Sequence, residues 1–215
     1  MMIWRRRRGP RSGEIERDEP GAVDPERVVR AAPGIGALFD GVREDGSHIF
    51  LDLGTATEPH LRLYSGYARQ IRFAGLLPNP PHGEGLERVL DDMPPNREEP
   101  YDMIVAWDIL DRLIPEERPI LMERLAQLTS PGARLYTVVR ASGKATLLPT
   151  RFVLMDLERV AHEVVGPPEP AGHELLPAEV ERVLAPFRVS HAFTLRAGMR
   201  EYVAVKQVRG MSKGL

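Results

Sequence analysis

Residues 48–58 limit the folds that are available to this chain. They read His-Ile-Phe-Leu-Asp-Leu-Gly-Thr-Ala-Thr-Glu, and Asp52 is the only charged residue in the apolar run before Gly54. A short apolar run that ends in a turn of small residues is typical of a buried parallel strand, which delivers its carboxyl end to a ligand. The stretch therefore predicts the opening strand and first turn of an α/β sheet.

The rest of the chain alternates between strand and helix patterns. Apolar or alternating runs predict further strands at 70–77, 101–108 and 134–139. Apolar residues at helical spacing predict helices at 34–42, 59–68, 115–128, 156–165 and 177–184. A short helix is also predicted from Asp24-Pro25-Glu26 to about Pro33, since Asp is a good N-cap and Pro suits the first helical position. Residues 86–93 fit either a short helix or a short strand.

Three turns and loops separate these elements. A polar turn is expected at 43–47, a loop at 167–172, and a helix stop at Ser130-Pro131-Gly132. The closing segments, 187–195 and 200–208, join near Gly198 and are predicted to form an antiparallel pair. Together the pattern predicts one doubly wound, mostly parallel sheet that is covered on both faces and ends in an antiparallel hairpin.

Composition limits the class of protein. The chain has 215 residues and no cysteine, which excludes disulfides, thiolate metal sites and a cysteine nucleophile. No apolar run approaches the roughly 20 residues that span a bilayer. The run Arg5–Arg8 leads into Gly-Pro-Arg-Ser-Gly rather than the apolar segment of a secretory signal. We therefore expect a cytoplasmic protein without a membrane span.

Charge divides the chain into a basic arm and an acidic body. Arg5–Arg8 and Arg11 carry +5, with no acid among residues 1–12, so the net charge of −2 leaves −7 for the remainder. An acidic body makes nucleic acid an unlikely partner. We divide the chain into a flexible arm, residues 1–23, and one domain, residues 24–215. The arm is either a solvated tail or a contact for RNA, an acidic partner or anionic lipid.

Three motifs resemble the class I S-adenosylmethionine-dependent methyltransferases. Residues 51–57, Leu-Asp-Leu-Gly-Thr-Ala-Thr, are similar to the first motif of that family. Residues 101–113 resemble its fourth strand and following turn, and residues 125–139, with Ser-Pro-Gly-Ala-Arg-Leu inside, resemble its passage into strand five. The resemblance implies a seven-stranded-type Rossmann-like sheet, complete or trimmed, with S-adenosylmethionine as cofactor. A nicotinamide enzyme would instead need Gly-x-Gly-x-x-Gly in the first turn.

The resemblance also assigns cofactor-binding residues. They are Asp52, Gly54, Thr55, Ala56, Asp92, Trp107 and Asp108. Glu58 stands where the family has a third glycine, where it either crowds the methionine end of the cofactor or simply starts a helix. Gly75 stands where a carboxylate would hold the ribose, and no acid lies between Glu58 and Glu84. Losing such a charge-assisted hydrogen bond costs about 1.5–3 kcal/mol, roughly ten- to hundredfold in affinity.

Several of these residues have a structural alternative. Trp107 either stacks on a ligand or packs in the core, and Asp108 either orients a nucleophile or caps the following turn. Asp91 and Asp92 either face adenine or form a solvated turn. No histidine pair has metal-ligand spacing, and no catalytic residue is predicted, because methyl transfer needs little beyond alignment of nucleophile and methyl.

Two functions follow. The first is methyl transfer from S-adenosylmethionine to a small molecule. The second is a non-catalytic methyltransferase-fold module that has lost cofactor binding and recognises a protein partner, since a fold does not carry its function with it. A nucleic-acid-associated enzyme tethered by the arginine arm is a weaker third reading, which the acidic body disfavours. The methyl acceptor and the oligomeric state are open at this stage.

Overall fold

The computed structural model describes residues 27–76, 86, 90, 93, 99–140, 146–170, 174–196 and 198–207. In chain order, the elements of these residues are β1 (Arg27–Ala31), α1 (Pro33–Phe39), β2 (His48–Asp52), α2 (Glu58–Tyr64), β3 (Ala68–Phe73), β4 (Tyr101–Val105), a 3-10 turn (Ile109–Asp111), α3 (Glu117–Gln127), β5 (Thr129–Arg140), β6 (Thr146–Leu147), β7 (Thr150–Leu154), β8 (Arg159–Val164), β9 (Glu169–Pro170), α4 (Pro177–Leu184), β10 (Phe187–Leu195) and β11 (Met199–Lys206).

The main sheet has six strands in the order β10-β11-β5-β4-β2-β3. Strands β3, β2, β4 and β5 run parallel, whereas β11 pairs antiparallel with both β5 and β10. This topology confirms the predicted mostly parallel α/β sheet with a closing antiparallel hairpin. Six strands of the seven-stranded type lie in the described residues, and most of the ambiguous stretch 86–93 falls outside them.

The core lies on the central parallel strands. Ile49, Phe50 and Leu51 of β2 are at most 1 % exposed, and Ile104 of β4 is fully buried. Burial of consecutive residues means that the strand is covered on both faces, which is why its sequence is continuously apolar. Helix α1 packs on β5, β10 and β11, burying Leu38 and its neighbours against them.

A second, three-stranded antiparallel sheet was not predicted. Its order is β1-β8-β7, and β8 pairs with both neighbours over its whole length. The predicted helix at 156–165 is therefore wrong. Asp156 starts a turn instead, since its Oδ1 accepts a hydrogen bond from the Glu158 backbone N–H at 2.9 Å. The residues after this turn form β8, which pairs with β1 on one side and β7 on the other.

The predicted helix from Asp24 to Pro33 is also wrong in its described part. Arg27–Ala31 forms β1, and residues 24–26 lie outside the described residues. The β-branched pair Val28-Val29 favours a strand, and pairing with β8 supplies the hydrogen bonds that a five-residue strand cannot make alone. The start signal at Asp24 was thus outweighed by contacts with a segment about 130 residues away.

Two smaller findings concern turns. Ser130-Pro131-Gly132 was expected to stop the helix before it, and α3 does end ahead of these residues, at Gln127. The three residues themselves lie within β5, where the register shifts beside β4. Helix α3 ends earlier because the Thr129 hydroxyl donates to the carbonyls of Leu125 and Ala126, both at 3.1 Å. In the loop expected at 167–172, β9 pairs with β6. The polar turn at 43–47 lies where it was predicted.

No helix within the described ranges is long and apolar enough to cross a membrane. Residues 1–23 lie outside those ranges, so the boundary between arm and domain stays a prediction.

Candidate functional site

The carboxyl ends of β2 and β4 lie side by side and position the site. Asp52 ends β2 opposite Val105 of β4, and the backbone N–H of Leu53 donates to the Val105 carbonyl at 2.9 Å. Residues 53–57, which we call the first turn, therefore leave the sheet in the place where an open α/β fold binds ligands.

Asp52 is fully buried and its carboxylate is used inside the protein. Oδ1 accepts hydrogen bonds from the Gly54 backbone N–H and from Trp107 Nε1, both at 2.7 Å. Oδ2 accepts one from the Tyr64 hydroxyl at 2.8 Å. Burial raises the pKa of Asp52 to about 6, although these three hydrogen bonds act in the opposite direction. The carboxylate therefore ties the first turn, α2 and the end of β4 together.

Trp107 is the residue on which this arrangement is centred. It follows β4 with a φ of 47° and is only 1 % exposed. Its carbonyl accepts from the Thr137 hydroxyl at 2.7 Å and from the Val138 backbone N–H at 2.9 Å. A side chain held from both its backbone and its indole N–H is a fixed part of the core, the alternative that the sequence left open beside ligand stacking.

Aromatic rings surround the Trp107 indole. Phe152 of β7 lies nearly parallel to it, with ring centroids 5.1 Å apart. His60 of α2 is also nearly parallel at 5.6 Å, and Tyr136 meets the indole edge-on at 5.7 Å. We call His60, Trp107 and Phe152 the aromatic cluster. Through Phe152, the unpredicted small sheet packs on the first turn of the main sheet.

Gly54 is a glycine because Trp107 occupies the adjacent space. A Cβ atom at position 54 would lie 2.9 Å from Trp107 Nε1, closer than real contacts allow, and 3.0 Å from Asp52 Oδ1. In a cofactor loop, a glycine at this position lets the ligand approach the backbone. Here the close approach is made by the protein's own indole.

The rest of the first turn faces outward. Thr55 and Ala56 are exposed, and the Thr57 hydroxyl accepts from the His60 backbone N–H at 3.3 Å, which caps α2. Glu58 is 81 % exposed and forms an ion pair with Arg62 at 2.5 Å. Two interpretations of Glu58 were open, crowding of the cofactor or the start of a helix. The structure places Glu58 in the first turn of α2, with its side chain in solvent, which agrees with the second interpretation.

The segment after β3 closes the other side of the turn. Gly75 is exposed with a φ of 67°, and its N–H donates to the Gly54 carbonyl at 3.1 Å. The Leu76 N–H donates to the Leu53 carbonyl at 2.9 Å, and Leu76 is buried. The carbonyls of Leu53 and Gly54 are thus paired within the protein, and the described residues that follow β3, 74–76, include no acid.

A buried charge network follows Trp107. Asp108 Oδ2 accepts from Arg112 at 2.8 Å, while its Oδ1 is buried with no hydrogen-bond partner among the described residues. Asp111 Oδ2 accepts from the Arg140 backbone N–H at 2.9 Å. Burial raises the pKa of Asp111 to about 6, against the opposing effect of Arg140. Asp108 therefore fixes the turn after β4 through its ion pair.

The structure brings together only part of the predicted set. Asp52, Gly54 and Trp107 are in direct contact, whereas Thr55 and Ala56 lie at the surface and Asp92 falls outside the described residues. Sequence reasoning missed His60, Tyr64, Phe152 and Asp111. The spacing of Asp108 and Arg112 is a signal for a helical ion pair, but nothing in the sequence pointed to Phe152. No group of metal-binding side chains occurs in the described ranges.

Within the described part of the chain, the residues at the first turn do not fit S-adenosylmethionine, the cofactor that the resemblance implies. Its amino-acid end would have to approach the backbone at Gly54, where Trp107 already lies. Its ribose would need an acceptor at the end of β3, where Gly75 offers no side chain. Asp52, the acid of the first motif, has both oxygens engaged within the protein. We therefore derive no reaction step through this cofactor.

No protein-family model matches this chain, and no curated protein matches it. Solved structures do resemble it. The 1,6-didemethyltoxoflavin-N1-methyltransferase of Burkholderia thailandensis, bound to 1,6-didemethyltoxoflavin and S-adenosylhomocysteine, is 15% identical, with a TM-score of 0.51 over 82% of this chain and 77% of that chain. The amino pentose methyltransferase CalS10 of Micromonospora echinaspora, with S-adenosylmethionine bound, is 12% identical, with a TM-score of 0.50 over 81% and 89%. This chain therefore has the fold of the class I S-adenosylmethionine-dependent methyltransferases.

Proposed function

We propose that this chain is a non-catalytic methyltransferase-fold protein, which does not bind S-adenosylmethionine at its first turn and acts by recognising a protein partner in the cytoplasm. The absence of cofactor binding in this proposal rests on one observation, namely the Trp107 indole in contact with Gly54 and Asp52. A ligand at this position would have to displace a buried tryptophan, whose burial is among the largest contributions that one side chain makes to stability.

The polar groups of the turn support the same conclusion. A carboxylate that already accepts three hydrogen bonds gains little by exchanging one of them for a ligand. The same holds for the carbonyls of Leu53 and Gly54, which pair with the segment after β3. A cofactor would therefore replace good internal bonds without adding new ones.

The second candidate is methyl transfer from S-adenosylmethionine to a small molecule. One observation favours it: Thr55 and Ala56 are small and exposed, so the backbone at that part of the turn is accessible from solvent. The structural neighbours with this fold are methyltransferases that contain the cofactor or its product. In this candidate, the cofactor would lie further out along the turn than Gly54.

Calorimetry of the full chain with S-adenosylhomocysteine separates the two candidates. We expect no saturable heat at millimolar ligand. Saturable binding with a stoichiometry of one would contradict the proposal, provided that it is lost in Gly54→Trp or Asp52→Ala proteins that keep the far-ultraviolet circular dichroism of the parent. Binding that survives both substitutions would place the ligand away from the first turn and would overturn the methyl-transfer candidate as stated.

A further inference from the structure

A second concave region lies at the edge of the main sheet that β10 forms, and it is open to solvent. It is a groove of about 680 Å³ between α1 and the outer strand β10, bounded by the end of β1 and by the turn that joins β7 to β8. Its apolar wall includes Ala37, Leu157 and Phe193, and its polar side chains are Asp40, Glu158 and His191. We call it the β10 groove.

The two carboxylates of the β10 groove form no ion pair within 4 Å in the described part of the chain. Two arginines lie near them, since Arg134 donates to the backbone carbonyl of Asp40 and Arg159 interacts electrostatically with Glu158. Asp40 and Glu158 are both exposed. Arg159, the residue next to Glu158, binds Asp156 instead, at 2.6 Å. Two unpaired carboxylates beside an apolar surface suit a ligand that is cationic at one point and apolar at the next.

The N-terminal arm has this chemistry. Its first residues are Met1-Met2-Ile3-Trp4, and the run Arg5–Arg8 follows directly, with no acid before residue 14. An apolar segment beside a cationic one matches the apolar wall beside two carboxylates. Arginine is well suited to such a site, because its planar guanidinium binds carboxylates in a bidentate manner.

The length of the arm allows it to reach the groove. The arm joins the described residues at Arg27, and β1 runs from there to Ala31, which lines the groove. Five strand residues span about 17 Å at roughly 3.3 Å per residue. The 18 residues from 9 to 26 can span up to about 60 Å when extended, so the distance is no obstacle.

We propose that residues 1–8 of the arm dock in the β10 groove of the same chain, with Met1–Trp4 on Leu157 and Phe193 and the arginines on Asp40 and Glu158. This proposal goes beyond the function proposed above and does not depend on it. It assigns an acidic partner to the arm, one of the alternatives that the sequence left open, and that partner is the acidic body of the protein itself.

Trp4 reports directly on the docking, because the only other tryptophan, Trp107, is buried. The difference in fluorescence between the parent and a Trp4→Phe protein isolates the emission of Trp4. We expect Trp4 to be shielded from acrylamide, compared with a free synthetic peptide of residues 1–12. In an Asp40→Asn, Glu158→Gln double variant, or at 1 M salt, quenching should rise to the level of the free peptide.

A matched control removes two other exposed carboxylates. Glu116→Gln with Glu181→Gln makes the same charge change just before α3 and on α4, and should leave Trp4 shielded. Equal quenching of Trp4 in the parent and in the free peptide would overturn the proposal. So would shielding that rises with protein concentration alongside a dimer in sedimentation, because the arm would then occupy a second copy of the chain.

Discussion

The first turn and the β10 groove are two surface-reaching regions of one fold, and they differ in how their polar groups are used. At the first turn, Asp52 accepts three hydrogen bonds and Trp107 lies against Gly54. In the β10 groove, Asp40 and Glu158 have no ion-pair partner in the described residues, and a volume of about 680 Å³ is open. The region that the fold predisposes to ligands is closed, and a region without such a predisposition is available.

This difference shows why position in a fold is a weak guide to function. The carboxyl ends of parallel strands form a crevice in any α/β sheet, but the side chains decide whether the crevice is a site. In this chain, Phe152 of the small sheet and His60 of α2 pack on Trp107 and complete the closure.

The largest effect is expected from Trp107→Ala. Removing this buried side chain leaves a cavity and takes one donor from Asp52, so the free energy of unfolding should fall by about 3–5 kcal/mol. Urea denaturation at pH 7.5 measures this. Ile120→Ala is the control, because this side chain of α3 is exposed and lies in neither region, and it should change the free energy of unfolding by less than about 0.5 kcal/mol.

His60→Phe should show how strongly the aromatic cluster excludes water. Burial lowers the pKa of His60 to about 4, although the backbone of Thr55 acts in the opposite direction. The stability that neutral His60 contributes is thus present above the unfolded pKa of 6.5 and is lost as the pH falls through 4. Phenylalanine does not titrate, so the variant does not lose this stability. Between pH 7.5 and pH 4 its free energy of unfolding should therefore rise by about 3 kcal/mol relative to that of the parent. A constant difference across that range in urea denaturation would mean that His60 is hydrated.

Asp52→Asn should change the dependence of stability on pH in the opposite direction. Because the pKa of Asp52 is raised from 3.8 to about 6, its stabilising contribution is complete below pH 3.8 and is lost as the pH rises through 6. The amide can keep the contacts, since its oxygen accepts from Gly54 and Trp107 and its NH₂ can donate to Tyr64. The parent should therefore lose about 2.4 kcal/mol relative to the variant between pH 4 and pH 7. A parallel pH dependence in the two proteins would show that Asp52 is solvated.

The contrast between the two sheets explains what the sequence could predict. The strands of the main sheet were predictable because β2 and β4 are buried on both faces, so that their sequences are continuously apolar. Strands β1 and β8 are short and carry Arg, His and Glu, and their pairing with each other and with β7 makes them strands. Local signals at Asp24 and in 156–165 pointed to helices, and long-range pairing outweighed them.

The site was predictable in its position and not in its contacts. The run ending at Asp52 and Gly54 located the first turn, and the missing acid near Gly75 indicated a departure from a cofactor loop. The state of Trp107, however, depends on Phe152, 45 residues further along, and on a backbone with positive φ. Neither is encoded in the local pattern around position 107, so stacking on a ligand and packing in the core gave the same sequence signal.

Glu58→Gly should have the smallest effect, and it tests whether a motif residue or the aromatic cluster keeps the first turn closed. Glu58 is 81 % exposed and pairs with Arg62 on the surface, and such a pair is worth only about 0.3–0.5 kcal/mol. Glycine early in α2 adds a propensity cost of up to about 1 kcal/mol, so Glu58→Gln is the control that removes only the charge. Neither substitution should create binding of S-adenosylhomocysteine in calorimetry, because Trp107 still lies against Gly54. Binding gained in Glu58→Gly would show that crowding at position 58, rather than the indole, excludes the cofactor.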